Sequence, residues 1–217
     1  MFDRFTFLTP EPVLRGPAVH LRQPAMADWA AWAELRGRSR AFLTPWEPVW
    51  AADALSRSSF RRRLRRYAEE ARGGIGQSFL IFRNEDEALV GGLTLSNIRR
   101  GVAWSATLGY WMGRPHAGRG YMKQAVALTA EHVFNDLRMH RLEAACLPRN
   151  GASRGVLSGC GFTEEGLARQ YLCINGVWED HVLYALLAAD PRPDPRAMKT
   201  EPGTDPGRFA RYLDLEG

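Results

Sequence analysis

The chain has 217 residues, 45% of them hydrophobic and 24% charged, which suits one ordinary globular domain, or one domain and a tail. Its formal net charge of +5 is carried almost wholly by arginine; that favours acidic partners without by itself making a nucleic-acid binder. No apolar run reaches the roughly 20 residues of a membrane span, and the opening "MFDRFTFLTPEP" lacks the apolar centre of a signal peptide, so the expected location is cytoplasmic.

In chain order, residues 17–23 ("PAVHLRQ") alternate like a strand, and "MADWAAWAELRGR" is predicted as a helix with Trp29, Trp32 and Leu35 on one stripe. The stretch 41–50, "AFLTPWEPVW", is predicted as loop because prolines 45 and 48 oppose a helix. A second helix is predicted over 53–72. Phe60, Leu64 and Tyr67 supply its inner face, and Arg57, Arg61, Arg62, Arg65 and Arg66 fill the others. That basic face is either simply solvated or holds phosphates or an acidic assembly.

Three strands follow, over 78–83, 88–98 and 102–112, then a long amphipathic helix over 118–136 with Met122, Val126, Ala130, Val133 and Leu137 on its core side. A strand over 141–147, a short helix over 151–159 and a hairpin of strands 167–174 and 177–188, turning at Asn175-Gly176, complete the pattern. Antiparallel pairs dominate, and the strand–helix–strand unit 102–147 is the one place where a parallel crossover fits. Residues 190–217 carry five prolines and are predicted as an extended tail, with Phe209, Tyr212, Leu213 and Leu215 as an apolar cluster that can dock.

The three cysteines, Cys146, Cys160 and Cys173, sit in apolar settings with no C-x-x-C pair. They are expected as core residues, and with five scattered histidines no zinc-type spacing is present.

The segment "RPHAGRGYMKQA" puts Gly118 and Gly120 around Arg119 at a helix start. First-turn amides lack intrahelical partners, the helix dipole presents positive potential there, and glycines let phosphate oxygens approach. A plain structural turn is the alternative. The segment resembles the Q/R-x-x-G-x-G/A signature of the GCN5-related N-acetyltransferases (GNAT), with Pro115 at the usual Gln/Arg position. "NGASRGVLSGCGF" resembles that family's N-x-x-S…GF segment, and "FLTPWEP", "LGYWMG", "GRGYMKQA" and "LCINGVWEDHVLY" together resemble the RimJ-type ribosomal-protein-alanine N-acetyltransferases from about residue 17 to 190.

The resemblance implies an α+β GNAT fold over 1–189, with about seven strands in a largely antiparallel twisted sheet, splayed at one parallel pair and flanked by about four helices. It implies acetyl-CoA as donor and no metal. Its cofactor contacts would come from Tyr110, Trp111, Met112, Ala117, Gly118, Arg119, Gly120, Tyr121, Met122, Asn150 and Ser153. Ser153 would protonate the leaving thiolate; Asn150 would bind the pantetheine arm, a role compatible with capping the helix. A backbone N–H within 111–113 would receive the oxyanion. The implied acceptor is a protein N-terminus, with Trp46, Glu47 and Tyr171 as its candidate contacts. The acids that relatives carry on the strands matching 102–112 and 167–174 are absent, so the resemblance assigns no general base; Glu47, in the loop that borders the family's acceptor channel, is the candidate base or, equally, pairs with an arginine and only shapes the loop. Trp50 is expected to pack on the core. A small-amine acetyltransferase and a CoA-binding module with little catalysis are the competing readings.

Overall fold

The structure, a computed structural model, describes residues 13–200. The N-terminal dodecapeptide and the cluster Phe209, Tyr212, Leu213 and Leu215 lie outside the described residues. In chain order the elements are β1 (Leu14–Arg15), β2 (Val19–Arg22), α1 (Trp29–Arg38), α2 (Arg40–Leu43), α3 (Arg57–Arg72), β3 (Gln77–Arg83), β4 (Leu89–Arg99), β5 (Ser105–Met112), α4 (Tyr121–Glu131), β6 (Arg141–Cys146), α5 (Gly151–Gly159), β7 (Thr163–Ile174) and β8 (Val177–Leu187). One eight-stranded sheet runs in the order β1-β2-β3-β4-β5-β6-β8-β7, antiparallel except for the β5–β6 pair.

Strand β3 shows how the sheet divides two cores. Phe79 and Ile81 face a large cluster with α4, while Leu80 and Phe82 face a smaller one with Trp32, Leu35 and Phe60 from α1 and α3. Alternation of side chains buries both faces of the strand, so its sequence reads as a continuous apolar run.

Several elements differ from the sequence reading. Residues 41–50 are not all loop: α2 covers part of them, and Pro45 sits in a 3-10 turn over Thr44–Trp46, where its fixed φ is tolerated near a helix start. Helix α3 begins at Arg57, capped by Ser56, whose Oγ accepts the Ser59 N–H at 3.1 Å; Asp53 instead pairs with Arg62. Helix α4 starts at Tyr121 and passes into a π-turn over His132–Asp136; its residues are buried apart from exposed Lys123 and partly buried Glu131. It is therefore not amphipathic in place. The sheet covers one side, and chain from 190 to 200 covers another through the Gln124 and Glu131 side chains.

Two glycines in β4 decide how β5 lies. A β-carbon at Gly92 would come within 2.4 Å of the Trp111 Nε1, and one at Gly91 within 2.5 Å of the Trp111 carbonyl oxygen. The Gly-Gly pair thus makes room for Trp111 at the end of β5. No helix among the described residues is long and apolar enough to cross a membrane.

Candidate active site

Strands β5 and β6 are paired from Ser105–Arg141 to Leu108–Ala144. Strand β5 continues to Met112, still paired with β4, while β6 turns its other edge to β8. The two parallel strands therefore part beyond Leu108, leaving one edge of Gly109–Met112 without a strand. The Gly113 N–H donates to the Val90 carbonyl at 2.8 Å. Alternation along an antiparallel strand turns the Met112 and Tyr110 amides the opposite way, into the gap. The Arg114 N–H is also taken, by Ser39 Oγ at 3.0 Å. Of the three amides expected to offer an oxyanion donor, Met112 is the one that faces the opening.

Above the gap lies the glycine loop. Gly118 has φ +78° and Gly120 φ +81°, left-handed values that disfavour any residue with a β-carbon. The N–H groups of Gly118, Arg119, Gly120, Tyr121 and Met122 have no hydrogen-bond partner among the described residues. Free amides converging at the positive end of a helix form an anion cradle. Burial and the nearby Arg83 and Arg119 charges hold the His116 imidazole below its usual pKa.

Across the gap, Asn150 caps α5, its Oδ1 accepting the Ser153 N–H at 3.0 Å. The Tyr110 hydroxyl lies 2.8 Å from Ser153 Oγ, so the strand carrying the free amides also fixes the serine. Burial pushes the Tyr110 hydroxyl well above its ordinary pKa, which keeps it protonated and able to donate. The Cys146 thiol is raised by burial, opposed by a hydrogen bond from Ser153. Tyr110, Cys146 and Ser153 thus form one contact group at the end of the splay.

The residues expected on the acceptor side are organised by a side chain the sequence reading did not single out. Arg36 of α1 makes a two-pronged pair with Glu47, both bonds 2.7 Å, and Trp50 Nε1 donates to the same carboxylate at 2.8 Å. The guanidinium lies 4.3 Å from the Trp50 ring centroid and 4.8 Å from that of Trp111. Trp50 is accordingly half-buried on this ion pair rather than packed into either core cluster. The Glu47 carbonyl accepts the Asn175 N–H at 2.9 Å, tying the loop to the β7–β8 turn. Trp46 carries Arg149 over its ring at 5.9 Å. Tyr171 stands apart, half exposed and edge-on to His181 at 5.8 Å. The signals for Arg36 were faint: a basic residue in the last turn of an apolar helix, and a glycine pair opposite Trp111.

A sheet opened at one parallel pair, beneath an anion cradle and beside a buried hydroxyl, suits a thioester donor with a phosphorylated tail. Residues 18–163 match the acetyltransferase (GNAT) domain family. A probable N-acetyltransferase of Bacillus subtilis is 35% identical over 178 residues, covering 82% of this chain and 98% of that protein. The ribosomal protein uS5-alanine N-acetyltransferase of Escherichia coli is 34% identical over 165 residues, covering 75% of this chain and 85% of that protein. Among solved structures, Mycobacterium smegmatis RimJ in complex with CoA-disulfide is similar with a TM-score of 0.75 at 37% identity, over 83% of this chain and 86% of that one. The chain belongs to the GNAT acetyltransferases. It is an N-acetyltransferase, and its acetyl donor is acetyl-CoA.

Proposed function

We propose that the chain acetylates the N-terminal α-amine of a ribosomal protein, with alanine as the acceptor residue, by direct transfer within a ternary complex. The observation that carries this reading is the 37% identity to a RimJ, across a fold that holds the splay, the cradle and the capped serine in place.

The residues divide the work as follows. Gly118 to Met122 offer amides to the donor's pyrophosphate, with Arg119 adding charge and Ala117 leading the chain into the loop. Tyr110 and Met112 offer backbone groups to the pantetheine arm, with Trp111 packed beneath them. The Met112 N–H receives the oxyanion; one well-aimed donor contributes roughly 3 kcal/mol to the transition state. As the thiolate leaves, Ser153 hands it a proton, held in place by Tyr110 and by the Asn150 cap.

An α-amine has a pKa near 8, so at pH 7 selecting its neutral form costs only about 1 kcal/mol, against several times that for lysine. Both Glu47 oxygens already accept hydrogen bonds from Arg36, one also from Trp50. We assign Glu47 to shaping the acceptor loop, with Trp46 as a wall, and leave the amine to lose its proton to solvent. On α3, Arg57, Arg61 and Arg65 are exposed and make no salt bridge among the described residues. Spaced one helical turn apart, they suit an anionic ribosomal surface such as RNA.

The test is acetyl transfer to peptides that differ only in their first residue, with α-blocked lysine peptides and small amines alongside. The expected result is transfer to the α-amine of an alanine peptide, at a rate well above the others. Preference for a small amine or a lysine side chain would overturn it.

A further inference from the structure

The second covering of α4 has a specific construction. The Arg192 Nε donates to Glu131 at 2.8 Å, and its guanidinium lies 4.8 Å over the Phe134 ring. Met198 packs against the main core cluster. Gly161, at φ +89°, leaves room for the Pro191 carbonyl oxygen, which would lie 2.7 Å from a β-carbon there.

The central tie is Gln124. Its side chain is fully buried, its Oε1 accepts the Ala18 and Val19 amides at 2.9 and 3.0 Å, and its Nε2 points to the Met198 and Pro195 carbonyls at 3.3 and 3.5 Å. A buried amide is costly unless satisfied, so both ends of this side chain are committed. One turn before it on α4 stands Gly120, and the chain reaches that point too. A β-carbon on Gly120 would lie 3.5 Å from the Lys199 carbonyl oxygen and 3.5 Å from the Thr200 Cα. Thr200, Arg83 and Tyr121 line a cleft of about 320 Å³ beside the loop.

We propose that residues 191–200 form a strap, latched by Gln124, that holds the 118–121 loop in its anion-binding conformation. Gln124 is thereby a positioning residue for donor binding. This rests on the reading that the loop takes the donor's pyrophosphate. Two left-handed glycines define the cradle's geometry but resist being ordered, because glycine loses the most freedom on fixing. A strap packed against Gly120 orders the loop before the donor arrives, and a preorganised site binds more tightly.

The test measures displacement of a fluorescent coenzyme A from the full-length chain by CoA and by pantetheine, which lacks the phosphates. Two variants are compared with wild type: Gln124→Leu removes the latch, and Met198→Ser loosens the strap without altering α4. Loss of the latch raises the CoA Kd about tenfold in Gln124→Leu, a change of about 1.4 kcal/mol. Met198→Ser raises it in the same direction, the double variant binds CoA no worse than Gln124→Leu, and the pantetheine Kd does not move. If wild type fails to distinguish CoA from pantetheine, the loop reading is wrong. If wild type distinguishes them but Met198→Ser and Gln124→Leu leave the CoA Kd unchanged, the strap is refuted. Equal losses for both ligands identify general damage to the core and also refute it.

Discussion

Replacing Glu47 by glutamine separates the two roles open to that residue. The carboxylate receives two bonds of 2.7 Å from Arg36 and one of 2.8 Å from Trp50, and the paired side chains are only 12% and 20% exposed. Glutamine keeps the shape but presents an NH2 group to one of these donors and leaves the guanidinium unpaired between two indoles. Breaking a fully buried pair from one side costs roughly 3–5 kcal/mol; partial exposure brings the figure here to about 2 kcal/mol. For a chain of this length that lowers Tm by about 4–8 °C. Because Arg36 stacks on Trp111 of β5 as well as on Trp50, the loss spreads from the acceptor loop to the donor strand. We expect the acceptor KM to rise, with kcat/KM still climbing about tenfold per pH unit below 8, since that slope belongs to the amine. Thermal unfolding and a pH series of initial rates read both. An unchanged Tm, with kcat reduced by orders of magnitude and the pH slope abolished, would make Glu47 the base and refute this account.

Ser153→Ala should lower kcat by at least tenfold at nearly constant CoA affinity, and Tyr110→Phe should lower it less, because the phenol positions the serine without meeting the thiolate; steady-state rates against CoA binding test the split. Gly92→Ala should fail to fold or lose several kcal/mol, because its β-carbon would sit 2.4 Å from the Trp111 ring nitrogen; a soluble variant with wild-type Tm would show that Trp111 is free to move. Burial pushes the Cys160 thiol up to about 12 and raises that of Cys146. Thiol labelling of the native chain at pH 8 should therefore modify Cys173 and spare the other two, all three reacting in denaturant. His116 is depressed by burial and by Arg83 and Arg119. It is neutral at pH 7, and a bound diphosphate beside it would raise its pKa. CoA binding on the acid side of neutrality should take up protons, which calorimetry in buffers of different ionisation enthalpy would detect.

The geometry of the glycine loop and of the capped serine was legible because its requirements are local. Left-handed φ at two positions leaves glycine as the favoured residue, a helix start must expose amides, and an asparagine three residues before a serine caps and orients it in one stroke. All of that is written within short stretches of chain. The helix α4 was misread for the complementary reason. Its sequence shows one apolar stripe, yet most of its other positions are also buried, in part because chain some seventy residues later lies over them; Gln124 and Pro195 are 71 positions apart. A polar residue inside a helix reads as a solvent-facing position until the partner that satisfies it is known.

The acceptor half fails to show itself on the same grounds, and its geometry explains why. Glu47 meets Arg36 eleven positions earlier, Arg36 meets Trp111 from a strand on the donor side, and the Glu47 backbone meets Asn175 in the last hairpin. None of these residue types is unusual alone, and each contact exists only once α1, β5 and the β7–β8 turn are assembled. Charge at Glu47 suggested either proton transfer or a pair with an arginine, and the pair with Arg36 is present. One guanidinium, flanked by an indole from each side of the site, joins the loop that would admit the amine to the strand that would hold the thioester. Acceptor selection and donor positioning then share a support, so substitutions at Arg36 should alter both Michaelis constants together, whereas substitutions at Trp46, whose ring lies under Arg149, should move the acceptor constant alone. Measuring both constants for Arg36→Lys and Trp46→Ala decides the point: a lysine cannot make the two-pronged pair or stack between the rings. Independent movement of the two constants in Arg36→Lys would mean that the halves of the site are not coupled through it.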